Sequence, residues 1–214
     1  SACVFTFDPA PAVFFKAQDA RELTVKEEKR LLFERMGVDI LVEFPLNHVT
    51  AGMPPEEFVS QVLARRMNVG FLAAGRDLSF GAGGAGNAEL LRRMGSKLGF
   101  NVEIIDKVCL KDREVSSTYV RSQVEEGNME LAAQLLGMPY MIAGRVVRGK
   151  QIGRTLGFPT VNIIPGPDKL LPPAGVYYST VCCKDRMFRA ISNVGYKPTV
   201  TSERIMGVES FLYD

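Results

Sequence analysis

Gly144-Arg-Val-Val-Arg-Gly-Lys-Gln-Ile-Gly-Arg-Thr-Leu-Gly-Phe-Pro-Thr-Val-Asn162 is the stretch on which the fold of this chain turns. It follows Gly137-Met-Pro139, where a pattern of strands alternating with helices ends and a pattern of strands alone begins. Four basic residues (Arg145, Arg148, Lys150, Arg154) lie among four glycines, and no carboxylate occurs from Met141 to Pro167. Glycine lets backbone approach a ligand closely, and N–H groups beside cations make an anion cradle. At the end of the stretch, extended backbone would put Thr160 and Asn162 on one face. A hydroxyl and an amide oxygen side by side suit Mg²⁺, which takes few protein ligands beside substrate phosphates. On spacing alone, a phosphate site and a basic β-hairpin with a glycine-rich turn both fit. The Walker P-loop pattern is absent.

Upstream of this stretch, strands are predicted at Ala2–Phe7, Asp39–Phe44, Val69–Ala74 and Asn101–Ile105. Helices are predicted from Thr24, through a Thr24-x-x-Glu27 capping box, to Met36. Others run over Glu56–Met67, Asn87–Leu98, Ser116–Gly127 and from Asn128 to Gly137. Strands alternating with helices of this length imply a parallel α/β sheet. Downstream, β runs at Met141–Arg148, Val161–Ile164, Gly175–Cys183, Met187–Ser192 and Met206–Tyr213 imply an all-β domain, a small barrel. The expected domains are therefore 1–138 and 139–214.

Composition narrows the function classes. Hydrophobic residues at 46% and charged residues at 23% are those of a globular protein. No apolar run of 18 residues occurs, which argues against a membrane-spanning helix. A net charge of +2 argues against a generally basic nucleic-acid binder. The first residues lack a signal peptide's basic region and cleavage site. Cys3, Cys109, Cys182 and Cys183 show no metal spacing, and reduced, mostly buried thiols in a cytoplasmic protein are expected. The single histidine, His48, rules out multi-histidine zinc sites and is expected to be solvated or capping.

Two upstream segments could hold ligands. Gly75-Arg-Asp-Leu-Ser-Phe-Gly-Ala-Gly-Gly-Ala-Gly86 follows the third predicted strand, where open α/β sheets bind ligands, and Asp77 could hold a ribose or amide. A mobile glycine-rich loop fits the same residues. Val115-Ser-Ser-Thr-Tyr-Val-Arg121 puts three hydroxyls at a helix start with Arg121 a turn later, a phosphate site or, with Ser117 or Thr118, simply an N-cap. Near the C-terminus, Glu209 is flanked by Val208, Phe211 and Leu212. It is either a general base or an outward residue of an amphipathic strand.

G-K-x-x-G-R-x-x-G-F-P-T-x-N, carried by residues 149–162, resembles the nucleotide- and Mg²⁺-binding segment of riboflavin kinases. G-x-D-x-x-F-G at Gly75, Asp77, Phe80 and Gly81, and V-S-S-T-x-V-R at 115–121, resemble motifs of nucleotidyltransferases. Together they resemble the bacterial bifunctional riboflavin kinase/FMN adenylyltransferase family. The resemblance implies a nucleotidyltransferase-like, Rossmann-like α/β domain followed by a riboflavin-kinase-like β-barrel. It implies phosphorylation of riboflavin by ATP to FMN, then adenylylation of FMN to FAD, with Mg²⁺ and ATP as partners of the flavin. In the kinase, Arg148, Gly149, Lys150, Gly153, Arg154, Gly157 and Thr160 would bind ATP. Thr160 and Asn162 would hold the metal, and Glu209 would be the catalytic base. In the adenylyltransferase, Gly75, Asp77, Ser116, Ser117, Thr118 and Arg121 would bind ATP. Asn193-Val-Gly-Tyr-Lys-Pro-Thr199 resembles the turn before the catalytic strand.

The sequence departs from that family in places. Its G-x-F-D-G-x-H-x-G-H segment is absent, Ala10 replaces histidine in T-F-x-P-H-P, and the chain stops before the last strand and helix. The expectation is a partial record of a longer protein, poor at adenylyl transfer as it stands. Two alternatives remain at this point: a kinase with a degenerate first domain, and a nucleic-acid-binding barrel using the basic residues 145–154. Against the latter, that stretch lacks the interleaved aromatics on which bases stack. Small-molecule partners are expected, without nucleic acid or membrane, and the oligomeric state stays open.

Overall fold

The computed structural model of the chain describes residues 1–15, 21–148, 159–183, 186–198 and 204–213. In chain order these form β1 (Cys3–Asp8), α1 (Pro11–Phe14), α2 (Lys26–Arg35), β2 (Ile40–Pro45), α3 (His48–Ala51) and α4 (Pro55–Glu57). The last continues as a π-helix over Phe58–Arg66. Then come β3 (Phe71–Gly75), α5 (Ala88–Leu98), β4 (Asn101–Ile105), the short β5 (Cys109–Leu110) and β6 (Arg113–Glu114), α6 (Ser117–Glu126) and α7 (Met129–Leu136). Five strands finish the chain: β7 (Arg145–Val147), β8 (Thr160–Ile164), β9 (Gly175–Cys183), β10 (Arg186–Pro198) and β11 (Arg204–Leu212).

The chain separates into two compact units, one of residues 1–20 and 38–115, the other of 21–37 and 116–214. The units divide the chain differently from the sequence boundary at 138/139, because α2, α6 and α7 group with the strand-rich C-terminal part.

In the first unit β1 pairs with β2, and β3 with β4, each in parallel. These are two separate ladders among the described residues, not one continuous sheet. Both contribute to one apolar cluster. Phe5 and Phe44 meet Phe58 at ring-centroid distances of 5.6 and 5.9 Å, and Phe58 meets Phe80 at 5.7 Å. Leu72, Ala74 and Val102 pack on the same cluster. The expected helix 56–67 forms, but mostly as a π-helix, with Met67 N–H donating to Val62 O five residues back. The wider turn directs Phe58, Val59, Val62 and Leu63 inward, an adjustment that apolar periodicity does not encode. Helix α5 is framed as its sequence predicts: Asn87 Oδ1 accepts from Leu90 N–H, and Gly99 ends it at φ 82°.

In the second unit β7, β8, β11, β10 and β9 form an antiparallel sheet in that order. The closed barrel expected from the strand pattern is not formed by the described residues, which leave β7 and β9 as edges. Ala190, Ser192, Val194, Val208 and Ser210 are buried on one face. There Ser192 shares its hydroxyl with those of Ser179 and Ser210, each 2.7 Å away.

Helix α2 is fixed to this unit by a buried ion pair. Lys169 Nζ lies 2.7 Å from Glu28 Oε2, with both side chains excluded from water. The lysine also donates to Leu23 O at 2.7 Å and stands 4.2 Å over the Tyr140 ring. Glu28 in addition accepts from Val25 N–H, so the helix starts after Val25, one residue later than the Thr24 box predicts. Two adjacent acids offer the same spacing, and the buried lysine selects the second.

Two further expectations are corrected. All four cysteines are exposed rather than buried, Cys182 and Cys183 both at the outer end of β9. The strand expected over Met141–Arg148 shortens to Arg145–Val147, because Ala143 N–H donates to Glu28 Oε1 instead of to a neighbouring strand. His48 is exposed, as expected, with its ring 5.4 Å from that of Phe14.

Lys169→Ala would strand the Glu28 carboxylate. It should cost roughly 3–5 kcal/mol in urea unfolding, while Glu28→Gln with Lys169→Met should cost far less. Burial, resisted by Glu28, holds the Lys169 ammonium below the ordinary lysine value of 10.5. Between its native value and 10.5 the unfolded chain binds more protons, so this residue adds stability as pH rises through that window and adds none below it. A Lys169→Met variant should lose that alkaline gain in unfolding midpoints measured against pH.

Candidate active site

The antiparallel register of β8 on β11 sets Asn162 directly opposite Glu209 and Thr160 opposite Phe211. Since side chains alternate along a strand, Thr160, Asn162 and Glu209 share one face. They also touch. Thr160 Oγ1 donates to Glu209 Oε1 at 2.5 Å, and Asn162 Nδ2 lies 3.5 Å from the same oxygen. Asn162 is buried, and Thr160 and Glu209 are half-buried. Glu209 lies on the face opposite the buried Ser192, Val194 and Val208, yet it is half-buried and hydrogen-bonded there. Three residues predicted from two motifs 47 residues apart meet at one carboxylate oxygen.

A hydroxyl polarised by a carboxylate, an amide and the carboxylate itself are all hard donors, the chemistry that Mg²⁺ takes. Among the described residues no group of three His, Cys, Asp or Glu side chains could hold a metal. Any cation here would rest on neutral oxygens and one acid. On its other side Glu209 faces Asn193 of β10. The sequence pointed to Asn193 only as part of a turn, whereas the register makes it a neighbour of the acid. The same face continues as an exposed apolar strip: Ile191 pairs with Tyr178, which is 72% exposed, and Asn193 pairs with Val176, 71% exposed.

Arg148 is exposed just beyond β7. Gly149, Lys150, Gly153, Arg154 and Gly157 lie outside the described residues.

The remaining candidates fall in different compact units. Gly75 ends β3, and Asp77 lies in the turn after it. Asp77 meets Lys107 at 3.3 Å, and Lys107 meets Glu114 at 2.5 Å. Backbone hydrogen bonding, then Lys107, lowers the pKa of Asp77. Arg76 pairs with Asp106 beside them. These charges gather past the carboxyl ends of β3 and β4, where open parallel sheets accept ligands. The glycine-rich loop is anchored, not loose. Phe80 is buried in the core, exchanges backbone hydrogen bonds with Gly86, and Ala82 N–H donates to Met53 O. Gly81 adopts φ 73°, and a Cβ there would lie 2.7 Å from Pro55. A phenylalanine in the middle of such a loop was the signal for this anchoring.

In the second unit Ser116, not Ser117 or Thr118, caps α6, accepting from Tyr119 N–H at 3.2 Å. Ser117 and Thr118 are exposed in the first turn. The Arg121 guanidinium donates to Arg21 O.

The FAD synthetase family model matches residues 1–119, and the riboflavin kinase model matches residues 136–214. The chain belongs to the bifunctional riboflavin kinase/FMN adenylyltransferase family. Members similar to it, each named bifunctional riboflavin kinase/FMN adenylyltransferase, come from several bacteria. The Bacillus subtilis protein is 33% identical over 204 residues, covering 94% of this chain and 64% of its own. The Escherichia coli K12 protein is 36% identical over 203 residues with the same coverage. The Listeria monocytogenes member is 33% identical over 213 residues, covering 99% and 67%. The chain thus spans about 64% of the length of the first family members it matches. Among solved structures, one described as macrolide-efflux protein from Streptococcus pneumoniae matches with TM-score 0.83 and 27% identity, over 99% of this chain and 69% of that one. No described helix here is long and apolar enough to cross a membrane.

Gly81→Ala should lower stability by roughly 1–3 kcal/mol, because the turn needs a positive φ and Pro55 leaves no room for a methyl. Thermal unfolding of the intact protein checks this, and a midpoint equal to wild type would contradict the anchored loop.

Proposed function

We propose that the protein of which this chain is part phosphorylates riboflavin to FMN and adenylylates FMN to FAD, using ATP in both steps. Residues 139–214 would form the kinase domain and 1–138 the adenylyltransferase domain. The meeting of Thr160, Asn162 and Glu209 at one carboxylate oxygen carries the kinase half of this reading. Glu209 takes the proton from the attacking ribityl hydroxyl. The freed oxygen forms its bond to the γ-phosphorus of ATP, and ADP leaves. Thr160 and Asn162 hold Mg²⁺, whose chemistry when bound is to neutralise phosphate charge. The hydrogen bond from Thr160 orients the Glu209 carboxylate and fixes which oxygen faces the site. Arg148, with Gly149, Lys150, Gly153, Arg154 and Gly157, covers the phosphates. The exposed strip of Val176, Tyr178 and Ile191 beside Glu209 suits a flat aromatic ring, and an aromatic side chain in such a strip can stack on it.

In the adenylyltransferase half, Gly75, Asp77, Ser116, Ser117, Thr118 and Arg121 would hold ATP. The charged cluster past β3 and β4 and the exposed first turn of α6 support those roles. Placement in the cytoplasm follows from this chemistry, because it consumes ATP. A kinase-only protein is the second reading, favoured by Ala10 in place of the family histidine.

Glu209→Gln in the intact protein should reduce FMN formation by about 10²–10⁴-fold, with FAD formation from supplied FMN unchanged. Chromatographic separation of the flavins reads both. Undiminished FMN formation would remove Glu209 from the mechanism, and absence of FAD from supplied FMN in wild type would favour the kinase-only reading.

A further inference from the structure

The buried Glu28 carboxylate uses its two oxygens differently. Oε2 takes the Lys169 ammonium and Val25 N–H, at 2.7 and 3.1 Å. Oε1 takes Ala143 N–H at 2.8 Å. Ala143 immediately precedes the basic, glycine-rich stretch. Past it, Gly144 lies so close to β8 that a Cβ would stand 3.3 Å from Ile164 O. Strand β7 then pairs Arg145 with Ile164 and Val147 with Asn162 before the chain reaches Arg148. The carboxylate oxygen thus fixes the start of a three-residue strand that flanks the Asn162 position on one side, as β11 flanks it on the other. The other partners of this group secure the helix end, not the strand: Leu23 O accepts from Lys169, Leu170 N–H donates to Glu22 O, and Lys29 pairs with Glu22 at 3.1 Å. A charge on the Lys26–Arg35 helix, within the stretch that matches FAD synthetase, is thereby joined to the stretch that matches riboflavin kinase.

We infer that Glu28 is a positioning residue of the phosphoryl-transfer site: through Ala143 N–H it sets the placement of Arg145–Arg148, and through β7 that of Asn162. The inference rests on the kinase reading above. A hydrogen bond to a charged group is worth about 1.5–3 kcal/mol, more than tenfold in an equilibrium. Its loss should therefore appear in the binding of the phosphate-bearing substrate more than in the chemical step.

The test uses the full-length protein and three variants: E28A, E28Q and E28Q/K169M. In E28Q the amide oxygen must face the Lys169 ammonium, which turns the amide NH₂ toward Ala143 N–H. In E28Q/K169M the oxygen is free to return to Ala143. Hydrogen exchange at the Ala143 amide reports the anchor independently of any reaction. Expected are protection lost about tenfold or more in E28A and E28Q, KM for ATP raised about tenfold with kcat within about threefold, and both restored in E28Q/K169M. If E28A does not fold, the comparison of E28Q with the double variant decides alone. Wild-type KM for ATP in E28Q with Ala143 unprotected would overturn the inference, as would a double variant that regains protection without regaining KM. A wild-type protein that makes no FMN would overturn the kinase reading and this role with it, while the exchange data would still show whether Glu28 holds Ala143.

Discussion

The candidate site exists because β8 and β11 pair in one register. With Asn162 opposite Glu209, the hydroxyl of Thr160 and the amide of Asn162 fall on the face of the acid. A slip of one residue would send them to the core face occupied by Ser192, Ser210, Val194 and Val208. Burial defends the register: moving Glu209 inward would place a charge among those residues, and moving Val208 outward would expose apolar surface. Function on one face of the sheet is thus specified by apolar packing on the other.

That sheet is not independent of the rest of the chain. Its β7 edge begins where Glu28 binds Ala143, and Lys169 lies between β8 and β9 in sequence. A buried ion pair of this kind adds little net stability, but removing one partner leaves an uncompensated charge in a dry interior. Its effect is to make one arrangement of residues 21–28, 140–143 and 166–170 far better than any other. The aromatic cluster of the first unit works by shape instead, with Phe5 and Phe44 meeting Phe58 edge to face and Phe80 tilted against it.

Local patterns made much of this legible. Asn87 and Gly99 bracket α5, and the alternation of Gly175–Cys183 predicts β9 to the residue. The pairing of Thr160 and Asn162 with Glu209 was readable through family motifs, since no local pattern tells which residue of β8 faces which of β11. What stayed hidden depends on distant partners. Glu28 sits in Lys-Glu-Glu-Lys-Arg, which looks like a solvated helix face, and its partner is 141 residues away. The same contact displaced the predicted cap and shortened the predicted strand. The π-helix at Phe58–Arg66 preserves an apolar face that an α-helix would show as well. The exposed cysteines show that a residue type usually buried gives no warning at the end of an edge strand.

The Thr160–Asn162–Glu209 face is proposed to transfer the phosphoryl group of ATP to riboflavin. The most direct measurement incubates the intact protein with riboflavin, ATP and Mg²⁺ and separates the products by chromatography. FMN should appear first and FAD after it. If ATP and riboflavin are recovered unchanged, the arrangement around Glu209 serves some other purpose and the claim fails.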